Sequence, residues 1–506
     1  MKIFKIIGQP GTGKTTRILQ LIEQASKKYS PDEIGAVSHT NAAVKEMRQR
    51  LIDSTGAKEA DISHVRTMHS QCYRLLGLDP SKVADKRIKD FNLFMEDLGM
   101  GRLCLSSSQI KEEEDEEEIN PEIIQNQKNF HRMMINRNKM IPMSDWEPEV
   151  QNIWAAWSTF MESNDMVDFT RMLEQILERD LCPPIKCLFV DEAQDLTRLQ
   201  LEVALRWCRK IEATTFVGDS DQSIYRFAGA TPEIFRDLRH DWGEVLKQSY
   251  RVPPAVHRFS MDILRRIKDR ENVEYLPRLD RGEGRVVSVL RPDFSLPGSH
   301  MIICRCNFRI PYWQDVLNQE GLTWWNPYRL EDKSWNPQEC GEYKAIMSYQ
   351  KLIQNETISG EEFDNFVEHM ISQGNLVRGA KKEIKAAEFE KRAAPMSRAD
   401  IGFLPWFLPE FLLWKTGVKD VIRVKTKAGS IGLLDASNEV RSKPVILGTI
   451  HSVKGGEADN VWIDTVKSRR ILREMKKSEQ VRYDEDRIFY VAVTRSRQVV
   501  GILRRR

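Results

Sequence analysis

A glycine-rich segment near the start of the chain, Gly8 to Thr16, has residue types that could bind phosphate groups. It lies between an apolar run at 3–7 and a segment of helical spacing at 17–22. Glycines let the backbone curl so that its N–H groups point inward, and the positive end of the following helix faces the same concavity. Lys14 is placed to reach the β- and γ-phosphates, and the Thr15 hydroxyl to bind Mg²⁺. The segment therefore predicts a nucleoside triphosphate site formed by Gly8, Gln9, Pro10, Gly11, Thr12, Gly13, Lys14, Thr15 and Thr16.

Two adjacent carboxylates, Asp191 and Glu192, form a second candidate for catalytic chemistry. They come directly after the apolar run 187–190, which predicts a short buried strand. In a parallel sheet this strand would bring both carboxylates to the edge that carries the glycine-rich segment. Asp191 is then a candidate ligand for Mg²⁺, directly or through water, and Glu192 is a candidate general base that polarises the attacking water.

A polar turn after the next predicted strand, 214–217, adds a third candidate. It carries Gln222 and, shortly afterwards, the aromatic residues Tyr225 and Phe227. The turn is suited to sensing phosphate on one side, and the aromatic faces would stack on any base of a single strand. The alternative is that both aromatic residues belong to a local core, where large aromatic side chains are common.

Alternating strand and helix patterns must position these side chains. Further strands are predicted at 34–38, 284–290 and 301–306. Such alternation predicts an α/β fold with parallel strands and right-handed crossovers, in which ligands gather at the carboxyl ends of the strands.

Residues 77–165 interrupt this pattern with helical segments and predict an insertion into the first sheet domain. The insertion contains seven consecutive carboxylates at 112–118, which favour a solvated loop because they repel one another; the alternative is a dock for a basic partner. The aromatic residues between 146 and 160 are expected in a core. A second aromatic stretch, 403–414, is expected to pack inside a later insertion, with a wedge or partner surface as the alternative.

The composition is typical of a soluble chain with several domains: 506 residues, 41% hydrophobic, 30% charged, net charge +3. At about 150 residues per domain the length predicts three or four domains. The small net charge permits a nucleic-acid partner without requiring one. The eight cysteines include no C-x-x-C pair, so zinc is not expected and free thiols fit a reducing compartment. Since no secretory or membrane-spanning pattern is present, we expect no membrane partner and a cytoplasmic location, in a bacterium or a phage-infected host.

Taken together, the segments resemble the motifs of superfamily-one DNA helicases of the UvrD, Rep and PcrA group. Eight matching segments occur in the order that the family shows, and they extend from residue 8 to residue 495. After the glycine-rich segment they are 39–48, 67–70, 191–195, 217–225, 248–251, 449–457 and 490–495.

The resemblance implies two RecA-like parallel-sheet P-loop domains, each with a mainly helical insertion, and ATP with Mg²⁺ bound in the cleft between them. The expected ranges are 1–76 and 166–251 for the first core with its insertion at 77–165, and 252–330 and 441–506 for the second core with its insertion at 331–440.

The resemblance also implies roles for individual residues. Tyr250 would stack on the adenine and Glu457 would hydrogen-bond the ribose. Arg251 and Gln222 would contact the γ-phosphate, and Arg495 would act as an arginine finger that stabilises the transferring phosphoryl group. The expected catalytic set is Lys14, Asp191, Glu192, Gln222, Arg251 and Arg495, and the residues expected on DNA are His39, Thr40, Asn41, Thr67, His69, Tyr225, Phe227, Thr449 and His451.

Four features depart from the family pattern. Family members usually carry an upstream segment with an adenine-reading glutamine, whereas seven residues precede Gly8, so base selectivity is expected to be weak or to depend on Tyr250 alone. His39 stands where Phe is usual, and Phe227-Ala228 replaces the usual Trp-Arg pair. Because Ala228 cannot contact a phosphate, a looser grip on the strand is expected. The second insertion is also shorter than usual, so autoinhibition and partner control are not carried over.

These residues predict an ATP- and Mg²⁺-dependent motor that moves 3′ to 5′ along single-stranded DNA and unwinds duplex at single-strand/double-strand junctions. A protein partner would bind through the insertions. Two alternatives stay open: a translocase that strips proteins from DNA, and a DNA-activated motor subunit of a larger repair, recombination or defence complex. The residues by themselves do not exclude RNA.

Overall fold

The computed structural model describes residues 2–38, 41–103, 121–320, 322–329, 336, 340–386, 395–402, 404–408, 421–422 and 444–504. Its strands are β1 Lys2–Gly8, β2 Ile34–Ser38, β3 Val65–Thr67, β4 Cys187–Val190, β5 Ala213–Gly218, β6 Trp242–Leu246, β7 Arg285–Val289, β8 His300–Cys304, β9 Trp324–Trp325, β10 Val445–Thr449, β11 Ala458–Asp464 and β12 Ser496–Leu503. Its helices are α1 Lys14–Ala25, α2 Asn41–Thr55, α3 Met68–Leu75, α4 Ile88–Asp97, α5 Pro121–Asn138, α6 Pro148–Ser163, α7 Phe169–Glu178, α8 Arg198–Cys208, α9 Pro232–Arg236, α10 Pro254–Leu264, α11 Ile310–Gln319, α12 Gly341–Ile353, α13 Gly360–His369, α14 Ala380–Ala386, α15 Arg398–Gly402, α16 Arg469–Lys477 and α17 Glu479–Val493.

The first sheet has six strands in the order β3-β2-β4-β5-β1-β6. Every neighbouring pair is parallel. The register sets Ile7 of β1 beside Gly218 of β5, and Val190 of β4 beside Phe216 of β5. The carboxyl ends of β1, β4 and β5 therefore lie at one edge, where the glycine-rich segment, Asp191 and the polar turn begin.

Alternation along β4 shows why this sheet is covered on both faces. All four residues of β4 are buried. Cys187 and Phe189 pack in one hydrophobic core, which includes Ile18 of α1, whereas Leu188 and Val190 pack in another. Successive side chains of a strand point to opposite faces, so an entirely apolar strand such as this needs a layer of helices on each side.

The second sheet also has six strands, in the order β7-β12-β11-β8-β10-β9. Strand β8 pairs in parallel with β10 and β11, and β10 pairs in parallel with β9. The α/β fold with two RecA-like parallel sheets, expected from the sequence, is confirmed.

The first insertion is helical and has its own aromatic core. Phe91 of α4 packs against Trp157 of α6 with ring centroids 4.7 Å apart, and Phe160 belongs to the same core. The expected core role of the aromatic residues between 146 and 160 therefore agrees with the structure. The acidic run 112–118 lies outside the described residues.

The second insertion forms a separate core built on α12 and α13. Tyr349 and Phe366 stack with ring centroids 5.9 Å apart, and Phe407 packs into the same core. Within the aromatic stretch 403–414, the described part 404–408 thus packs inside the insertion, while 403 and 409–414 lie outside the described residues.

Contacts divide the chain into two compact units. Unit 1 comprises Met1–Ser288, Gly455–Glu457 and Lys467–Val500, and unit 2 comprises Val289–Lys454, Ala458–Val466 and Gly501–Arg506. Residues 252–288 and 467–500 thus group with the first sheet, whereas the ranges expected from the sequence assign them to the second core. Those expected domain ranges stay a prediction. No helix within the described residues is long and apolar enough to cross a membrane.

Candidate nucleotide and nucleic-acid sites

The glycine-rich segment forms a closed loop between β1 and α1. Gly11 and Gly13 have φ values of +72° and +82°, a region that favours glycine. A Cβ atom at Gly11 would also collide with the Arg251 side chain. Lys14 begins α1, and its Nζ donates a hydrogen bond to the Gly8 carbonyl at 2.9 Å. The loop has the conformation of a phosphate cradle, and its lysine is held at the cradle.

Residues from a distant segment close the loop from outside. The Ser249 hydroxyl donates to the Pro10 carbonyl at 2.8 Å, and the backbone N–H of Tyr250 donates to the Gly11 carbonyl at 2.8 Å. The Tyr250 side chain is 70% exposed, so its ring is accessible beside the loop. This arrangement fits the stacking position that the resemblance implies for Tyr250.

The two adjacent carboxylates follow β4 as predicted. Asp191 is buried, and its backbone N–H donates to the Val37 carbonyl at 2.9 Å. Glu192 adopts a left-handed conformation with φ +51°, and its N–H donates to Asp191 Oδ1 at 2.9 Å. Positive φ is uncommon for a residue with a side chain, because it is strained and persists only where the surrounding structure offsets the strain. Such residues are concentrated at functional sites.

Gln194 connects this pair to the polar turn after β5. Its Nε2 donates to Glu192 Oε2, and its Oε1 accepts a 2.9 Å hydrogen bond from the N–H of Asp219. Gln194 is fully buried. A buried amide that is paired at both ends holds its neighbours in place, since breaking either bond leaves a polar group unsatisfied.

The chain of hydrogen bonds continues to Arg495. Gln222 Nε2 donates to Asp219 Oδ2 at 2.6 Å, and Arg495 Nη2 donates to Gln222 Oε1 at 2.9 Å. Arg495 also donates to the carbonyls of Val491 and Gly456. Burial raises the pKa of Asp219, and Lys14 counteracts that rise. We call Glu192, Gln194, Asp219, Gln222 and Arg495 the relay network; all of it lies in unit 1.

Helix α17 binds the loop directly through Tyr490. The Tyr490 hydroxyl donates to Gln9 Oε1 at 2.8 Å, and both side chains are buried. Burial raises the pKa of Tyr490 well above its ordinary value. The same helix therefore contacts the loop at Tyr490 and leads directly to Arg495.

Glu457 lies between two arginines. It forms ion pairs with Arg251 and with Arg497. Burial would raise the pKa of Glu457, but the two guanidinium groups outweigh that effect and hold the pKa at about 2. The resemblance implied separate contacts for Arg251 and Glu457, and the structure instead brings the two side chains together.

The residues expected on DNA fall into separate groups. Thr67 caps α3, and the His69 ring meets Phe169 edge-on, with ring centroids 5.5 Å apart. Thr67 and His69 also line a cavity of about 60 Å³ together with Asp191. His39 and Thr40 lie outside the described residues, and Asn41 begins α2 with no described side chain.

Tyr225 and Phe227 lie side by side, with ring centroids 6.2 Å apart. Phe227 is 56% exposed, which does not fit the alternative of a core residue. Thr449 and His451 belong to unit 2, where Thr449 is buried and its hydroxyl accepts from the N–H of Ser452.

Four residues of the site were not singled out from the sequence: Gln194, Asp219, Tyr490 and Arg497. The first three lie within the recognised motifs. Their place in a motif indicated that they belong to the site, but it did not indicate which residues they contact. Arg497 follows the last motif, and nothing in its sequence context marked it.

The fold and this site define a P-loop nucleotide-binding protein of the RecA-like class. The family model described as the UvrD/REP helicase N-terminal domain matches residues 2–243, and the UvrD-like helicase C-terminal domain matches residues 425–503. Together the two matches cover more than half of the chain. The chain belongs to the UvrD-like family of superfamily-one helicases.

Individual relatives are more distant. The ATP-dependent DNA helicase Rep of Buchnera aphidicola subsp. Baizongia pistaciae is 27% identical over 266 residues, 49% of this chain and 38% of that protein. A probable DNA helicase II homolog of Mycoplasma capricolum subsp. capricolum is 26% identical over 54% of this chain and 40% of its own length. The ATP-dependent DNA helicase PcrA of Staphylococcus aureus (strain Mu50) is 24% identical over 53% of this chain and 38% of its own length. The chain thus spans about two fifths of the length of these relatives.

Proposed function

We propose that this chain is an ATP- and Mg²⁺-dependent DNA helicase that moves 3′ to 5′ along single-stranded DNA and opens duplex at junctions. The observation that carries the proposal is the relay network, which joins the candidate base Glu192 to the candidate arginine finger Arg495 through Gln194, Asp219 and Gln222. Three residues that the sequence singled out, Glu192, Gln222 and Arg495, are thereby connected in one chain of hydrogen bonds. The activity named for the relatives supports the same choice.

The loop residues bind the phosphates of the substrate ATP. Gly11 and Gly13 adopt the positive φ values that the loop conformation requires, and a Cβ atom at Gly11 would collide with Arg251, which closes the loop. The Thr15 hydroxyl and the Asp191 carboxylate are oxygen ligands of the kind that Mg²⁺ prefers, and the bound ion supplies charge neutralisation at the phosphate oxygens.

The remaining residues orient groups and move a proton. Glu192 accepts the proton of the attacking water, and Gln194 fixes the position of the carboxylate that does so. Arg495 and Lys14 stabilise the charge that develops on the transferring phosphoryl group, and Gln222 contacts that group beside Arg495. Tyr250 stacks on the base. When the substrate binds, Arg251 and Glu457 exchange their mutual ion pair for contacts with it: Arg251 contacts the γ-phosphate and Glu457 contacts the ribose.

The nucleic-acid part of the proposal depends on the aromatic pair Tyr225 and Phe227 and on polar residues of the recognised motifs. Phe227 and Tyr225 stack on bases of a single strand, which suits movement that is independent of sequence. Polar contacts to the strand come from His39, Thr40, Asn41, Thr67, His69, Thr449 and His451. The partners are single-stranded DNA and junctions, and a protein partner would bind through the insertions.

The experiment measures ATP hydrolysis by the purified chain with single-stranded DNA, single-stranded RNA, duplex DNA or no nucleic acid. We expect stimulation by single-stranded DNA, and a loss of about 10²–10⁴-fold in kcat for Glu192→Gln. Glu96→Gln, an exposed glutamate on α4, is the matched control. Hydrolysis that ignores every nucleic acid, or that survives in Glu192→Gln, would contradict the proposal.

Duplexes with 3′ or 5′ single-stranded tails then separate unwinding from protein removal. Opening of the 3′-tailed duplex alone supports the proposed direction. Removal of a bound protein without opening would instead favour a translocase that strips proteins, an alternative to which Ala228 adds weight because it replaces an arginine.

A further inference from the structure

Helix α16 carries an unusual concentration of positive charge that the nucleotide site does not use. Five of its nine residues are cations and only Glu474 is acidic. The five cations, all exposed, are Arg469, Arg470, Arg473, Lys476 and Lys477. At about 100° per residue they fall within an arc of about 120°, so they form one face of the helix. We call this face the basic face.

The opposite side of α16 fixes its orientation. Ile471 is buried and Met475 is half-buried. The helix packs against α17, and Ser468 caps its first turn by accepting from the N–H of Ile471. Because the apolar side of the helix is packed against the protein, the basic face is fixed in an outward orientation.

The helix carries five cations and one glutamate, a net charge of +4. Its first turn contains no acidic residue, so Arg469 and Arg470 lie at the positive end of the helix dipole. Arg473 has cations three or four residues away on both sides, a spacing at which like charges repel. Such a local excess of positive charge attracts anions to the exposed side of the helix.

We propose that the basic face binds the phosphate backbone of duplex DNA. Five cations along about 12 Å of helix give about one positive charge per 2.4 Å, close to the one negative charge per about 1.7 Å of a DNA duplex. Helix α16 has no aromatic residue, whereas single-strand sites combine cations with stacking platforms. This inference depends on the proposed function, because it supplies the duplex side of a junction whose single strand contacts Phe227.

The position of the basic face connects it to the nucleotide site. Ser478 alone separates α16 from α17, and its hydroxyl accepts from the N–H of Val481 in the first turn of α17. Helix α17 bears Tyr490 and leads to Arg495. Duplex DNA on the basic face would therefore contact a helix that only Ser478 separates, along the chain, from the helix that binds the phosphate loop.

The test measures binding of the full chain to a fluorescent blunt-ended duplex by anisotropy at several salt concentrations. The variant changes Arg469→Gln, Arg470→Gln and Arg473→Gln together. We expect at least tenfold weaker duplex binding and a salt slope that falls by about 0.9 for each DNA phosphate that the variant no longer neutralises. The matched control removes the same charge from exposed lysines elsewhere, Lys27→Gln, Lys58→Gln and Lys89→Gln.

A second variant covers the case in which the triple glutamine variant does not fold. Changing the three arginines to lysine keeps the charge, and duplex affinity is expected to stay within about threefold of wild type because lysine also binds phosphate as a point charge. Loss of affinity in this charge-retaining variant, with an unchanged unfolding temperature, would overturn the proposal.

ATP hydrolysis stimulated by oligo(dT) distinguishes the two proposals. If the triple glutamine variant keeps this stimulation and loses duplex binding, both proposals are supported. If wild type and variant bind duplex equally while stimulation is normal, only the basic-face inference fails; absence of stimulation in wild type refutes the proposed function. Poly-L-glutamate that competes with duplex at equal charge concentration would overturn the assignment in favour of an acidic polypeptide.

Discussion

Gln194 offers the sharpest test of the relay network. It is fully buried, donates to the Glu192 carboxylate and accepts from the N–H of Asp219 at 2.9 Å. Gln194→Glu keeps the size of the side chain and the acceptor for Asp219, but it places a second carboxylate against Glu192. Gln194→Met instead removes both polar atoms at similar size.

The expected magnitude follows from Coulomb's law. Two like charges about 4 Å apart repel by about 4 kcal/mol at an effective dielectric constant of about 20. One pKa unit corresponds to about 1.4 kcal/mol, so the coupled pair would retain a proton to about 3 pH units above the usual carboxyl range. Glu192 must be ionised to accept a proton, and the acid limb of the pH profile of kcat should therefore move up by as much as about 3 units.

Gln194→Met should behave differently. It deprives the buried N–H of Asp219 of its acceptor, which costs about 1–3 kcal/mol of folding stability. It adds no charge, so activity should fall at every pH without a shift of the profile. The two variants thus separate an electrostatic effect on Glu192 from a loss of structure.

The assay is kcat for DNA-stimulated ATP hydrolysis between pH 5.5 and 9.5, with thermal unfolding measured on the same samples. Gln194→Glu should be nearly inactive at pH 6 and recover toward pH 9, while Gln24→Glu, an exposed change on α1, should match wild type. A Gln194→Glu profile that superimposes on that of wild type would refute the idea that Gln194 holds the catalytic carboxylate.

Two further predictions concern the arginine-bound glutamate and the exposed aromatic residue. Glu457 has a pKa of about 2 in place of 4.5, so its ion pairs with Arg251 and Arg497 stabilise the fold fully above about pH 4.5 and lose that effect as the pH falls toward 2. Glu457→Gln should lower the free energy of unfolding by about 1–3 kcal/mol at pH 7, after allowance for the partial exposure of the side chain, and by less than half of that at pH 3. An equal drop in unfolding temperature at both pH values would contradict this account. Phe227→Ala should weaken single-stranded DNA binding about 5- to 150-fold, because one stacked base contributes about 1–3 kcal/mol, while leaving the unfolding temperature nearly unchanged. Leu93→Ala, an equally exposed apolar change on α4, is the control, and equal affinity of Phe227→Ala and Leu93→Ala for oligo(dT) would argue against stacking.

The elements that hold the nucleotide site could be predicted closely because their signals are local. The apolar run 187–190 coincides with β4, and 34–38 coincides with β2. The glycine-rich segment joins β1 to α1 as its spacing indicates. Short buried strands that end in polar residues leave few alternatives, since each strand needs helices on both faces and places its last residue at the carboxyl edge.

The contacts within the site could not be predicted, because they join residues that are far apart in the chain. Gln9 and Tyr490 are separated by 481 positions, and Gln222 and Arg495 by 273. The pairing of Arg251 with Glu457 shows the limit most clearly. The motifs identified both residues, but only the fold shows that each neutralises the other.

Helix α17 gives these separate sites a common mechanical element. In its first half, Asp484 forms an ion pair with Arg226, with 3.1 Å between the charged atoms. Nearer its end, the Tyr490 hydroxyl donates a hydrogen bond to Gln9. Arg226 lies between Tyr225 and Phe227 in the chain. The turn that carries the candidate stacking aromatics therefore contacts the helix at Asp484, and the phosphate loop contacts it at Tyr490, six residues further along.

A 15-residue α-helix is about 22 Å long and moves as a rigid body more readily than it bends. A displacement of the loop that shifts Tyr490 must therefore also shift Asp484, and with it the turn that carries Tyr225 and Phe227. The half-buried Arg226–Asp484 ion pair and the buried hydrogen bond of Tyr490 resist being stretched, because separating either pair would leave polar groups unsatisfied. Coupling between nucleotide and nucleic acid then needs no long pathway of side chains: one stiff helix with two polar attachments is sufficient.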